Sequence, residues 1–242
     1  MSDALRLAFT TLTVLPLRGG RIDRTVAAGA MTLAPLVGAL LGLVLAGVHE
    51  LLPAGLLGAA VTVTLGVLLT RGLHLDGLAD TLDALGSYRR GEAALEIMKK
   101  SDIGPFGVAG IVLTLLLQTA AVAQLGPWAI VAAWTTGRLA VTLICRRGVP
   151  AARADGLGAL VAGTVAPWRV ALMLLLTMAV AVPAVPAFPW LGPLFVALTA
   201  LAIVVQLRRA VARFGGMTGD LIGAGVELAT TLMLVALALA AQ

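Results

Sequence analysis

Carboxylates in this sequence fall at a spacing that suits metal-assisted phosphate chemistry. In Arg71-Gly-Leu-His-Leu-Asp-Gly-Leu-Ala-Asp-Thr-Leu-Asp83, the acids Asp76, Asp80 and Asp83 stand at i, i+4 and i+7. On a helix these positions share one stripe. Three carboxylates on a stripe repel one another and call for a cation. A hard divalent ion such as Mg²⁺, held by carboxylate and substrate-phosphate oxygens, meets that need. Gly77 and Ala84, also seven apart, leave a smooth face where another backbone can approach. The competing reading is a solvated acidic loop balanced by Arg89, Arg90, Lys99 and Lys100.

A second constellation is Arg213-Phe-Gly-Gly-Met-Thr-Gly-Asp-Leu-Ile-Gly-Ala-Gly-Val-Glu227. Gly215, Gly216 and Gly219 permit tight turns whose backbone N–H groups can cradle phosphate near a helix N-terminus. Asp220 and Glu227 are again i and i+7, with Glu227 about two turns inside an apolar run. An ionisable group at that depth is costly and points to function, although pairing with Arg138 is the bland alternative. Between the two constellations lies Glu92-Ala-Ala-Leu-Glu96-Ile-Met-Lys-Lys-Ser-Asp102. There Glu96 and Lys100 read equally well as an ordinary i, i+4 surface pair. His74 has the chemistry of a general base. Helical spacing turns it away from the Asp76 stripe, which favours a structural or substrate-contacting role.

The elements that position these residues follow from composition. Of 242 residues, 60% are apolar and 12% charged, with a mean hydropathy of +1.04. Soluble domains are about 45–50% apolar and roughly 25% charged, so this balance describes a polytopic membrane protein. The 28 glycines suit helices packed closely in lipid. Disorder is excluded, and the net charge of +5 reflects a membrane surface rather than nucleic acid. The single cysteine, Cys145, forms no internal disulfide and reads as a small core residue. Leu5, Phe9 and Leu12 predict a short interfacial helix without a signal peptide.

Seven apolar runs predict an all-α bundle spanning the membrane as a single domain over residues 1–242, with short cytoplasmic helices carrying the acidic motifs. The runs are 31–52, 56–70, 106–125, 128–145, 170–185, 190–207 and 222–241. This count puts every Lys and Arg on or near one face, leaving 53–55, 126–127 and 183–189 without any. By the positive-inside rule the charged face is cytoplasmic. Both acidic constellations lie there, with Arg71, Arg138 and Arg213 among the bases available for phosphate oxygens. Carboxylates, glycines and arginines together describe a diphosphate site suited to phosphoryl transfer. A Walker pattern is absent.

At these residues the chain resembles the cobalamin synthase family, the adenosylcobinamide-GDP ribazoletransferases. The resemblance rests on His74-Leu-Asp-Gly-Leu-Ala-Asp-Thr-Leu-Asp83, Glu96-Ile-Met-Lys, Gly104-x-x-Gly107 and Gly215-Gly-x-Thr-Gly-Asp-x-x-Gly-Ala-x-x-Glu227. It covers essentially the whole chain. It implies a Mg²⁺-dependent enzyme of the prokaryotic inner membrane with its site facing the cytoplasm. A ribose hydroxyl of α-ribazole, or of its 5′-phosphate, would attack the cobinamide-side phosphorus of adenosylcobinamide-GDP. GMP would leave as adenosylcobalamin or its phosphate formed. Asp76, Asp80, Asp83, Asp220 and Glu227 are the implied metal set. Asp76, Asp80, Asp220 and His74 are the catalytic candidates, and Gly216, Thr218 and Gly219 join the arginines on phosphate. Self-association or association with other cobalamin-assembly enzymes is also left open. Two departures stand out. Ala84 replaces a glycine common in the family, and Lys100-Ser-Asp102 reverses its usual acid-then-base order, so Glu96 and Asp102 are secondary candidates. A CDP-alcohol phosphotransferase is less well matched, because its full Asp-Gly-x-x-Ala-Arg pattern is missing. A transporter would spread polar groups through its spans instead of gathering them at one face.

Overall fold

The computed structural model describes residues 2–17 and 20–241, which form helices joined by short connections. The first two, α1 (Asp3–Leu12) and α2 (Arg24–Thr32), pack on each other. Ser2 caps α1 and Asp23 caps α2, each accepting from backbone N–H groups. Of the predicted stripe Leu12 is buried and Leu5 and Phe9 are half-buried, while Ala8 is buried beside them.

The expected first span is divided. α2 ends at Thr32 and α3 (Ala34–Leu51) begins two residues later. Pro35 in the first turn of α3 supplies no N–H to the preceding turn, so the helix restarts there. The second run forms α4 (Leu56–Leu69) and then turns by 88° into α5 (Leu73–Gly86). Arg71 (φ 57°) and Gly72 (φ 65°) occupy the left-handed region at that corner. α5 leaves the direction of α4 at that corner and carries Asp76, Asp80 and Asp83. α6 (Glu92–Ile97) follows, then α7 (Pro105–Val122) and α8 (Pro127–Ile144). Because α6 stops at Ile97, Lys100 lies beyond the helix, so the competing reading of Glu96 and Lys100 as an i, i+4 helical pair lacks the helix it needs. The remainder is α9 (Gly156–Val161), α10 (Pro167–Ala181), α11 (Leu191–Phe214) and α12 (Gly219–Ala240).

α8 is the axis of the bundle, buried from Ala129 to Ile144 by α3, α10, α11 and α12. Small residues set these approaches. A Cβ on Gly42 would lie 2.8 Å from Val131 Cα, so α3 and α8 meet backbone to backbone. α11 runs on to Phe214, further than the expected end at Leu207, because no breaker intervenes before Gly215 (φ 84°). Arg208, Arg209 and Arg213 therefore ride on a helix. Among the described residues, six helical stretches are long and apolar enough to cross a membrane, and the bent α4–α5 pair, taken as one span, makes a seventh. The chain is a multi-pass helical bundle, and its described bases other than the buried Arg138 gather toward one face. Trp128, Phe188 and Trp190 are exposed at the opposite face, whose connections carry no Lys or Arg and where aromatic residues suit the bilayer interface.

Candidate active site

The two acidic motifs meet where α5 crosses the start of α12. A Cβ on Gly77 would stand 2.7 Å from the Asp220 carbonyl oxygen and 3.0 Å from its Cα. One on Gly223 would stand 3.0 Å from the His74 carbonyl oxygen and 3.2 Å from Gly77 Cα. Both glycines are therefore needed for the two backbones to touch. Their contact brings Asp76 and Asp80 beside Asp220, although more than 130 positions separate them in the sequence.

Electrostatics report the same gathering. The Asp80 carboxyl is pushed up to about 7, first by burial and then by the negative charges of Asp220, Asp76 and Asp83. Arg153 acts on it in the opposite direction. Asp83 has other work. Its Oδ2 accepts from the Gly104 N–H at 2.7 Å and its Oδ1 from the Gly107 N–H at 2.9 Å. It thus caps α7 with both oxygens, and the two glycines of Gly104-x-x-Gly107 are the residues that admit the carboxylate, since a Cβ on either would lie 2.5 Å from it. The expected metal ligand is here the bracket that fixes α5 to α7.

The glycine loop is likewise structural in part. Gly215 closes α11, and Gly216 packs against the Ala151–Ala152 backbone so closely that a Cβ would collide. Met217 N–H donates to Pro150 O at 2.8 Å and Ala152 N–H to Met217 O at 2.9 Å. Thr218 is the N-cap of α12, its Oγ1 accepting from Leu221 N–H at 3.2 Å. Gly219 and Asp220 form the first turn of α12, whose N–H groups and dipole favour an anion.

Two cavities meet at Gly219, Asp220 and Leu157. One, of about 310 Å³, is polar and takes Lys99, Arg153 and Thr218 into its wall. The other, of about 220 Å³, is bounded by Thr11, Leu12, Met31, His74 and Asp76. Arg153 is the cation that sequence reasoning missed, whereas Lys99, the base of Glu96-Ile-Met-Lys, entered that reasoning only as a balancing charge. Arg153 reaches the site because the 150–152 segment is tied to Met217, and its Nη2 donates to Leu95 O at 2.6 Å. The available signal was the run Arg153-Ala-Asp-Gly-Leu-Gly158, which puts a base, an acid and two glycines in a loop on the charged face.

Other candidates lie elsewhere. Glu227 sits inside the bundle, where its Oε2 accepts from Gln118 Nε2 at 2.8 Å; the same amide donates to Thr231 Oγ1 at 3.0 Å. Arg138, 3% exposed on α8, borders that interior cluster and not the acidic cleft. Arg71 stays at the α4–α5 corner, donating to Thr10 O at 3.5 Å. Arg213 donates to Leu85 O at 2.9 Å, at the far end of α5. Glu96 and Asp102 are exposed and border neither cavity. His74 is buried and neither ring nitrogen has a hydrogen-bond partner.

Among the described residues, no three His, Cys, Asp or Glu side chains converge closely enough to hold a metal ion alone. The donor chemistry nevertheless fits Mg²⁺, which commonly takes one or two carboxylates and completes its shell with water and substrate phosphate. Asp76, Asp80 and Asp220 are the acids free for that task.

Comparison with known proteins supplies the family. Residues 4–238 match the family described as cobalamin-5-phosphate synthase. The chain belongs to this family. An adenosylcobinamide-GDP ribazoletransferase of Frankia casuarinae is 46% identical, covering 96% of this chain and 94% of its own. One from Nocardioides is 40% identical over 98% of each chain. One from Corynebacterium efficiens is 36% identical over 99% of this chain and 92% of its own. No solved structure matches. As a cobalamin synthase family member the chain is a transferase.

Proposed function

We propose that this transferase joins adenosylcobinamide-GDP to α-ribazole or its 5′-phosphate, with Mg²⁺ as cofactor, in a cleft facing the cytoplasm. The observation that carries the reading is the convergence of Asp76, Asp80 and Asp220 beside the polar cavity walled by Arg153 and Lys99. A diphosphate brings negative charge to acids that already repel one another. A divalent ion taking one or two carboxylates from among Asp76, Asp80 and Asp220, with water and substrate phosphate for the rest of its shell, would neutralise phosphate charge and assist the leaving group. Arg153 and Lys99 contact phosphate oxygens, and the first turn of α12 offers N–H donors to the same anion.

The ribose hydroxyl oxygen forms a bond to the cobinamide-side phosphorus as the bridging P–O bond to GMP breaks. The hydroxyl proton passes to a carboxylate of the cleft, and the electron pair of the broken bond leaves with GMP. Asp83, engaged by α7, holds α5 in place. Binding and orientation by these residues turn an encounter of two large substrates into a reaction within one cleft. The absence of Lys and Arg from the connections at the opposite face supports a cytoplasmic site.

The test is an assay of purified protein in lipid with adenosylcobinamide-GDP, α-ribazole and Mg²⁺, reading GMP release. Turnover that needs both substrates and the ion is expected. Folded protein that releases no GMP above a no-enzyme control sinks the activity, and undiminished turnover in a chelator sinks the metal requirement.

A further inference from the structure

A cavity of about 490 Å³ lies away from the acid stripe, beneath α5 and between α11 and α12. Its volume is in the range of ligand pockets. Leu82, Leu207 and Leu228 furnish apolar walls, while Arg90, Arg209 and Arg213 stand at its edge; no carboxylate borders it. We propose that this cavity holds an anionic phospholipid from the leaflet at the charged face, with its phosphate on the arginines and an acyl chain along the leucines.

Three observations support that occupant. The first is depth. α11 has 24 residues, about 36 Å of helix against a bilayer core of about 30 Å, so its arginine end reaches headgroup level. The second is charge complementarity, since guanidinium groups pair well with phosphate and basic pockets between membrane helices take anionic headgroups. The third is an unmet polar group. Thr81, 5% exposed, borders the cavity and its Oγ1 has no hydrogen-bond partner. A lipid ester or phosphate oxygen would accept from that hydroxyl. Arg213 Nε is buried and equally without a partner.

Native mass spectrometry of the full-length protein in detergent tests the proposal, with added phosphatidylglycerol compared with phosphatidylcholine of the same chains. Wild type should retain phosphatidylglycerol preferentially. The Arg209→Glu, Ala212→Trp double variant, altering two exposed positions on α11, should retain it about tenfold less, the loss expected for one charge-assisted contact. If that variant loses its thermal transition, Arg209→Gln carries the test with a severalfold loss expected. Equal retention of the two lipids, or unchanged retention in the folded variant, overturns the proposal. Displacement of the lipid by adenosylcobinamide-GDP overturns it too, because the cavity would then be a substrate chamber. Displacement by glycerol phosphate at equal concentration has the same force, showing a site for free phosphate.

Discussion

Gly77 lies directly against the Asp220 backbone, with room for a hydrogen but not for a methyl group. One residue thereby sets how closely the acid stripe of α5 approaches the first turn of α12. Gly77→Ala is expected to separate the helices by a few tenths of an ångström at a cost of about 1–3 kcal/mol. Turnover should fall far more than thermal stability, because a small displacement of reacting groups is amplified in rate. Steady-state kinetics beside a thermal melt check the expectation; normal kcat in Gly77→Ala would show that this spacing is unimportant.

Asp83 and Asp76 should separate in their effects. Asp83→Ala leaves the Gly104 and Gly107 N–H groups without their partner and is expected to cost about 1–2 kcal/mol, the usual loss for a helix cap. Asp83→Asn should keep a measurable, Mg²⁺-dependent rate. Asp76→Asn should fold normally and lose turnover. Mg²⁺ titrations of the two variants decide the matter, and an inactive Asp83→Asn of normal stability would return Asp83 to the metal set.

Arg153→Ala should raise KM for the diphosphate substrate by about ten- to hundredfold, equivalent to the loss of a hydrogen bond between charged groups. Lys99→Ala, at an exposed position, should raise it only severalfold. Unaltered KM in both variants would remove the polar cavity from substrate binding.

Asp80 gives a pH-dependent stability in protein freed of divalent ions. Its carboxyl titrates at about 7 in the fold against 3.8 as the ordinary value, so the folded chain holds the proton more tightly. The resulting stabilisation is fully present below the unfolded value and lost as pH rises through about 7. Asp80→Asn abolishes that loss. Its melting temperature should match wild type near pH 4 and exceed it by a few degrees at pH 8. Equal melting temperatures at pH 8 would show that the like charges are not crowded.

Glu227 is expected to matter through the bundle interior. Glu227→Ala removes one of the two acceptors of the Gln118 amide and the negative charge that acts on Arg138, a loss of about 1–3 kcal/mol for a hydrogen bond broken in the interior. Glu227→Gln should fold and retain more activity than Asp220→Asn. The reverse order would place Glu227 at the chemistry.

Much of the architecture was legible because hydropathy and the positions of charges act locally along the chain. The seven apolar runs, the bare connections at one face and the helical register of Asp76, Asp80 and Asp83 all required only spacing. Breakers refined the boundaries: Pro35 splits the first run, and the absence of one lets α11 carry its arginines beyond Leu207. Which acid was free for chemistry was not legible. Asp83 and Asp76 share a stripe, and only the arrival of α7 engages Asp83. Arg138 and Glu227 had the residue types of a phosphate and metal site, yet packing of α7, α8 and α12 put them in the interior. Arg153 had no helical register to reveal it and reaches the cleft through backbone pairing with Met217.

The sequence by itself therefore determined a charged face, a membrane bundle and two acidic motifs on that face, since these depend on composition and on the pitch of a helix. Tertiary structure decided which charges meet. That choice depends on contacts between residues far apart in the chain, above all Gly77 on Asp220 and Asp83 on Gly107. Backbone approach and hydrogen-bond saturation are properties of the packed helices, and neither is encoded in the spacing of any one of them.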